Sequence, residues 1–141
     1  MKLPFWSIVP LLLLAAAPGF SQSSIEGAWR PELYTLKDGT EKPVTGLIFF
    51  TSKDWTVLFF ELDAEGSPQR GSGEGGTYTL SNEALEFTHF YHLSGGATPV
   101  NMSVKSLAEA GKEPCRVALS EDSMTIHFPS GNRMSFRRSS K

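Results

Sequence analysis

The sequence lacks features that mark several well-known classes of protein. It has one cysteine, Cys115, among 141 residues, so no disulfide can form within the chain and the core alone must stabilise the fold. Lysine and arginine together number 13 against 15 acidic residues, which gives a net charge of −2. Because nucleic-acid binding depends on a basic surface, this balance argues against a nucleic-acid partner.

The chain also lacks an apolar run long enough to cross a bilayer. The run Ile8–Ala17 is well short of the roughly 20 residues that a membrane-spanning helix needs, so no stable membrane span is expected. It follows Lys2 and precedes a short stretch of helix-breaking and small residues, which is the order of a cleavable signal peptide. We therefore predict a signal peptide over residues 1–21, a mature domain over 22–141, and export to a periplasm or the exterior.

Helical periodicity is almost absent from the rest of the chain. Short runs of β-branched and aromatic residues recur between turn signals about every ten residues. In one of these runs the apolar residues Met124, Ile126 and Phe128 alternate with polar ones, which is typical of a strand with one buried face. The predicted strands cover about residues 25–36, 44–51, 55–62, 77–80, 85–93, 100–106, 116–119, 123–128 and 133–138.

These strands are half-buried, and no helix is predicted that could cover them. Closing into a ring buries one face of each strand and leaves no free edge. The predicted fold class is therefore all-β, a single antiparallel up-and-down β-barrel of about eight to nine strands, with a two-sheet sandwich as the alternative. The segment 65–76, which is rich in glycine, serine and charge, is predicted to be a mobile loop.

Short motifs in the predicted strands resemble those of bacterial lipocalin-like domains of the calycin superfamily. The first strand carries Gly-x-Trp at Gly27 to Trp29 and is followed by an Asp-Gly turn at Asp38. A Pro-x-x-Gly-hydrophobic strand then begins at Pro43. The remaining motifs are Gly76-Thr77-Tyr78, Thr88-His89 and the closing Phe136-Arg137-Arg138.

The resemblance implies a structural role for three residues. In calycins the tryptophan of the first motif closes one end of the barrel, and an arginine of the last strand packs over its indole. This implies that Trp29 pairs with Arg138, or with Arg137 if the register differs by one residue, and that Gly27 belongs to the same motif.

The interior of such a barrel is the expected ligand site. The alternation predicts that Phe87, His89 and Tyr91 point into the lumen, where a polar group must be hydrogen-bonded or solvated. A core histidine bonded to a backbone carbonyl is the alternative reading of His89. With Phe59 and Met102, these residues are the predicted ligand-binding set, and the expected ligand is a small hydrophobic molecule.

No metal, cofactor or catalytic residue is assigned from the sequence. A metal site needs three or four converging ligands. His89 and His92 lie on opposite faces of a regular strand and cannot share a metal without a bulge.

Two further functions stay open beside small-molecule binding. One is a barrel isomerase or cyclase in which His89 and Tyr91 transfer protons. The other is an interaction protein with a filled barrel, which would use the strand 55–60 as its contact face. That strand is apolar on both faces, which favours a covering loop, a homodimer face or a membrane-proximal patch.

Overall fold

The computed structural model describes residues 24–96, 101–104 and 109–139, and for residues 101–104 it describes the backbone. The predicted signal peptide lies outside these ranges. All regular structure in the described part of the chain is β, and no helix there is long and apolar enough to span a membrane. The strands are β1 Gly27–Thr35, β2 Glu41–Phe50, β3 Asp54–Leu62, β4 Pro68–Ser81, β5 Ala84–Gly96, β6 Asn101–Val104, β7 Gly111–Leu119, β8 Ser123–His127 and β9 Arg133–Arg138.

The strands form one antiparallel sheet that closes on itself. Its order is β4-β3-β2-β1-β9-β8-β7-β5-β6, and β4 also pairs with β5, which completes a ring of eight positions. The short strand β6 pairs with the second half of β5, where Tyr91 faces Val104, while β7 pairs with the first half, where His89 faces Gly111. The predicted all-β, up-and-down barrel is confirmed.

One end of the barrel is closed by Trp29. Its side chain is fully buried, and its indole Nε1–H donates to the carbonyl of Ile25 at 2.8 Å. Trp29 pairs in register with Arg138, whose guanidinium carbon lies 4.0 Å from the centre of the indole ring. The contact implied by the resemblance is therefore present in the structure, and it involves Arg138 rather than Arg137.

The guanidinium of Arg138 also connects the segment before β1 to the turn between β7 and β8. It donates to the backbone carbonyls of Ser24, Glu26 and Glu121 at 2.6 to 3.0 Å. Gly27 has a φ of +116°, a conformation that favours glycine, and a Cβ there would lie 3.4 Å from Arg138 Nη1. The Gly-x-Trp motif thus lets the backbone turn beneath the arginine.

The prediction of a loop over residues 65–76 is wrong for residues 68–76, whereas residues 65–67 lie in the turn between β3 and β4. Pro68 to Gly76 belong to β4, which pairs with β3 on one edge and with β5 on the other. The outward-facing positions of this stretch are Gly71, Gly73 and Gly75, and neighbouring strands cover two of them. The ring of Phe60 lies over Gly71 and the phenol of Tyr91 lies over Gly75. Side chains from β3 and β5 supply the packing that the glycines lack.

Candidate functional site

A cavity of about 690 Å³ lies inside the barrel. Its size falls within the range of small-molecule sites, roughly 300–1,000 Å³. Its apolar wall includes Ile48, Val57, Phe59, Phe87, Ile126 and Phe136. Its polar wall includes Glu74, His89, His92 and Glu113.

A β-bulge in β5 decides which side chains form the polar wall. Gly75 pairs with Tyr91 and Gly76 pairs with His89, so Phe90 is an extra residue with no partner on β4. One extra residue reverses the alternation of faces along the rest of the strand. His92 therefore joins His89 inside the barrel, and Tyr91 turns outward.

The polar wall is an ionic cluster built on three strands. Glu74 of β4 and Glu113 of β7 hold the imidazole of His89 between them, with Nδ1 3.1 Å from Glu74 and Nε2 3.3 Å from Glu113. The other oxygen of Glu74 lies 3.3 Å from His92 Nδ1 and 3.0 Å from the hydroxyl of Ser72. Both ring nitrogens of His89 thus face carboxylates, which is the arrangement that an imidazolium requires.

These contacts shift two pKa values in opposite directions. The hydrogen bonds from His89 to Glu113 and then to Glu74 raise the pKa of His89 to about 9, against the opposing effect of burial. The hydrogen bond from His89 is also the largest cause that lowers the pKa of Glu74. His89 is therefore a cation at neutral pH, and Glu74 is an anion.

The cluster predicts a window of maximum stability. A raised pKa in the folded state stabilises the fold below the unfolded value, near 6.5 for His89, and this contribution is lost as pH rises through about 9. The lowered pKa of Glu74 contributes above its ordinary value of 4.5 and is lost in acid. We expect the free energy of unfolding to fall by up to about 3 kcal/mol between about pH 6 and about pH 9.5 because of His89.

Urea unfolding at both pH values measures this loss, and His89→Gln is the variant for comparison. The variant should be less stable than the wild type near pH 6 and should lack the part of the alkaline loss that His89 causes. An equal alkaline loss in both proteins would show that His89 is not the titrating group.

The structure brings three of the five predicted ligand-binding residues to the cavity. Phe59, Phe87 and His89 line it. The placement of Tyr91 in the lumen is wrong because of the bulge: Tyr91 is 41% exposed, and its hydroxyl donates to Thr56 on the outer surface at 2.6 Å. The side chain of Met102 lies outside the described residues.

The polar wall has three members that the sequence did not indicate. Glu74 lies in the segment predicted as a loop, Glu113 precedes the predicted start of its strand, and His92 was placed on the outer face. The pair Gly75-Gly76 opposite Phe90 is the local signal that could have indicated the bulge, since glycines often mark bulges or close backbone approaches.

Trp55 adds a buried donor to the cavity wall. Its side chain is 5% exposed, and its ring contacts His89 edge to face with 5.1 Å between ring centres. Its indole Nε1–H is buried and has no hydrogen-bond partner within the described residues. Buried donors without partners are rare in folded proteins, so this group marks a place in the wall where an acceptor is missing.

The positions of the histidines bear on the catalytic and metal-binding alternatives. Tyr91 points away from His89, so the pair invoked for an isomerase or cyclase is not assembled. The bulge does bring His89 and His92 to one wall, but both direct Nδ1 to the same carboxylate of Glu74. Within the described ranges, no group of three or more such side chains could hold a metal ion.

The side chains of residues 55–60, which were predicted as a possible contact face, alternate between the inside and the outside of the barrel. Trp55, Val57 and Phe59 face inward, whereas Leu58 is 50% exposed on the outer surface. Leu93 is also exposed. Gly73 of β4 pairs with Leu58 on one side and with Leu93 on the other, so the two leucines are separated by one strand. This strand is therefore apolar on both faces for two reasons: its inner side chains line the cavity, and Leu58 on its outer face forms an apolar patch with Leu93.

Solved structures that are similar to this chain share its architecture. A lipocalin-like protein from Bacteroides uniformis ATCC 8492 matches with a TM-score of 0.53 and 19% identity, over 81% of this chain and 97% of that one. An uncharacterized protein from Bacteroides eggerthii DSM 20697 matches with a TM-score of 0.52 and 20% identity, over 81% and 98% of the two chains. No protein-family model and no curated protein matches the sequence. The chain has a lipocalin-like fold.

Proposed function

We propose that this protein is an exported binding protein that holds a small, mainly hydrophobic molecule inside its barrel. The observation that carries the proposal is the cavity of about 690 Å³, with a mostly apolar wall and one polar cluster. Binding sites for small molecules have this composition, because apolar contacts provide affinity and a few polar groups fix orientation.

The side chains around the cavity favour a bound molecule over a filled interior. Ile48, Phe87, Ile126, Met134 and Phe136 are buried around its walls. They leave space between them although a barrel of eight strands can be filled by side chains. Transfer of an apolar molecule from water to these walls gains about 25 cal/mol for each Å² of apolar surface buried.

Export is the second part of the proposal, and it is supported by the sequence at the N-terminus. The apolar run with its small-residue boundary resembles a signal peptide, and the single cysteine is compatible with folding that needs no disulfide. Sequencing the N-terminus of the protein from its own host tests this part. We expect the mature chain to begin near Gln22, and an intact Met1 would contradict export by this route.

Native mass spectrometry of the protein purified from its own host tests the binding function. The mass under native conditions is compared with the mass after denaturation. We expect a reproducible extra mass that is released on denaturation and can then be identified. A bare chain under both conditions, together with no uptake of any apolar probe, would overturn the proposal.

A further inference from the structure

Two carboxylates of the polar wall share the imidazole of His89. Glu74 and Glu113 both approach the imidazole of His89, at 3.1 and 3.3 Å. The imidazolium of His89 balances one of these two negative charges. Lys112 also lines the cavity, but its ammonium pairs with Glu86 at 2.8 Å, and His92 contacts Glu74 at 3.3 Å rather than Glu113. The cluster therefore favours an additional positive charge from a ligand.

Glu113 has an oxygen that is free to accept this charge. Its Oε2 is the atom that contacts His89, and its Oε1 has no hydrogen-bond or ionic partner within the described residues. The side chain lines the cavity and is one-third exposed. A donor on the ligand can reach Oε1 without displacing His89.

Trp55 gives independent evidence that a ligand completes this wall, and as a donor it calls for an acceptor atom separate from the cationic group. It lines the same cavity, it is 95% buried, and its Nε1–H is unpartnered among the described residues. Its ring and that of Phe87 also contact each other, with 4.3 Å between their centres.

A second ionic group lies farther along the same strands, at residues that do not line the cavity. Glu61 pairs with Lys42 at 2.9 Å and lies 3.9 Å from Arg70. Arg70 precedes Glu74 by four residues on β4, which corresponds to about 13 Å along a strand. The two groups are therefore separate clusters at different heights of the barrel.

We propose that the ligand is an amphiphilic amine, whose ammonium group binds at Glu113 and Glu74 while its apolar body lies against the cavity wall. This proposal rests on the proposed binding function and specifies the chemical class of its ligand. The acceptor for Trp55 Nε1–H would be an oxygen of the same molecule.

Displacement of a neutral fluorescent probe, N-phenyl-1-naphthylamine, by decylamine, decanol and decanoate tests the proposal at neutral pH. The three competitors share one chain length and differ in charge. We expect decylamine to bind about tenfold more tightly than decanol, which is the effect of one charge-assisted hydrogen bond, and decanoate to bind most weakly. Equal affinities, or a preference for decanoate, would overturn the amine and leave the binding function intact. Failure of the probe to bind, together with a bare chain in native mass spectrometry, would overturn both.

Two glutamine substitutions locate the preference. Glu113→Gln removes the carboxylate at the cavity and should reduce the affinity for decylamine about tenfold with little change for decanol. Glu32→Gln is the matched control, because Glu32 also forms an ion pair, with Arg137 at 2.7 Å, but on the outer surface. Unchanged decylamine affinity in folded Glu113→Gln, shown by circular dichroism, would contradict the assigned site.

Discussion

Replacing Trp29 with alanine is expected to destabilise the barrel by about 3–5 kcal/mol, the usual cost of removing a large buried aromatic side chain. Trp29 is fully buried and closes one end of the barrel. The substitution also removes the hydrogen bond to the carbonyl of Ile25 and the ring on which Arg138 packs. A domain of this size has a total stability of about 5–15 kcal/mol, so much of the folding free energy is lost.

Urea unfolding followed by far-ultraviolet circular dichroism measures this effect. Leu58→Ala is the control, because Leu58 is also a large apolar residue but is half exposed; we expect a loss of less than about 1 kcal/mol. Arg138→Met removes the charge stacked on the indole but keeps Trp29 itself. Its loss of stability therefore measures the contribution of Arg138 separately from that of burying the ring. If Trp29→Ala were as stable as Leu58→Ala, Trp29 would not close the barrel.

Gly76→Ala is expected to destabilise the protein by about 3 kcal/mol and to disturb the bulge in β5. A Cβ at Gly76 would lie 1.8 Å from the carbonyl oxygen of Thr88 and 3.2 Å from the backbone nitrogen of Phe90. Neither group is a flexible side-chain end, so the backbone must move, and overpacking of this kind typically costs 1–3 kcal/mol or more. Gly76 also lies between Trp55 and His89 in register, which allows their rings to touch.

Gly111→Ala is the matched control for Gly76→Ala. It also removes a glycine from a strand that pairs with His89, but a Cβ there meets nothing within 4 Å. We expect its stability to lie within about 0.5 kcal/mol of the wild type. Nuclear magnetic resonance of the histidine rings adds a second measurement, because an altered bulge changes the environments of His89 and His92. Equal stability and unchanged histidine signals in Gly76→Ala would show that the bulge does not require glycine.

The fold could be predicted from the sequence because its evidence is local. Alternation of apolar and polar residues, as in Met124 to Phe128, identifies half-buried strands without knowledge of their partners. The contact of Trp29 with Arg138 was implied by the resemblance of two motifs to those of lipocalin-like domains, with Arg137 as the alternative. The strands themselves are identified from a few neighbouring residues each.

The polar wall could not be predicted because it depends on pairing between distant strands. Gly71, Gly73 and Gly75 have little strand propensity of their own, and their strand is stabilised by Phe60 and Tyr91 from its neighbours. The sequence therefore predicts a loop at Glu74.

Two irregularities explain why the sequence pattern does not identify the remaining members of the polar wall: the bulge in β5 and the early start of β7. A single extra residue, Phe90, exchanges the faces of Tyr91 and His92. Pro114, which cannot donate a backbone hydrogen bond, lies within β7 and obscures the strand that carries Glu113. Sequence alternation alone could therefore identify His89 but not its partners.

The central claim is that the barrel binds a small apolar molecule in its lumen, and a titration with N-phenyl-1-naphthylamine in two neighbouring variants tests it most directly. Val57 lines the cavity, whereas Leu58 faces the outside. We expect the wild type and Leu58→Trp to bind one probe per chain and Val57→Trp to bind at least about tenfold more weakly, a difference of about 1.4 kcal/mol. No binding by the wild type, or binding that Leu58→Trp weakens and folded Val57→Trp does not, would contradict a site inside the barrel.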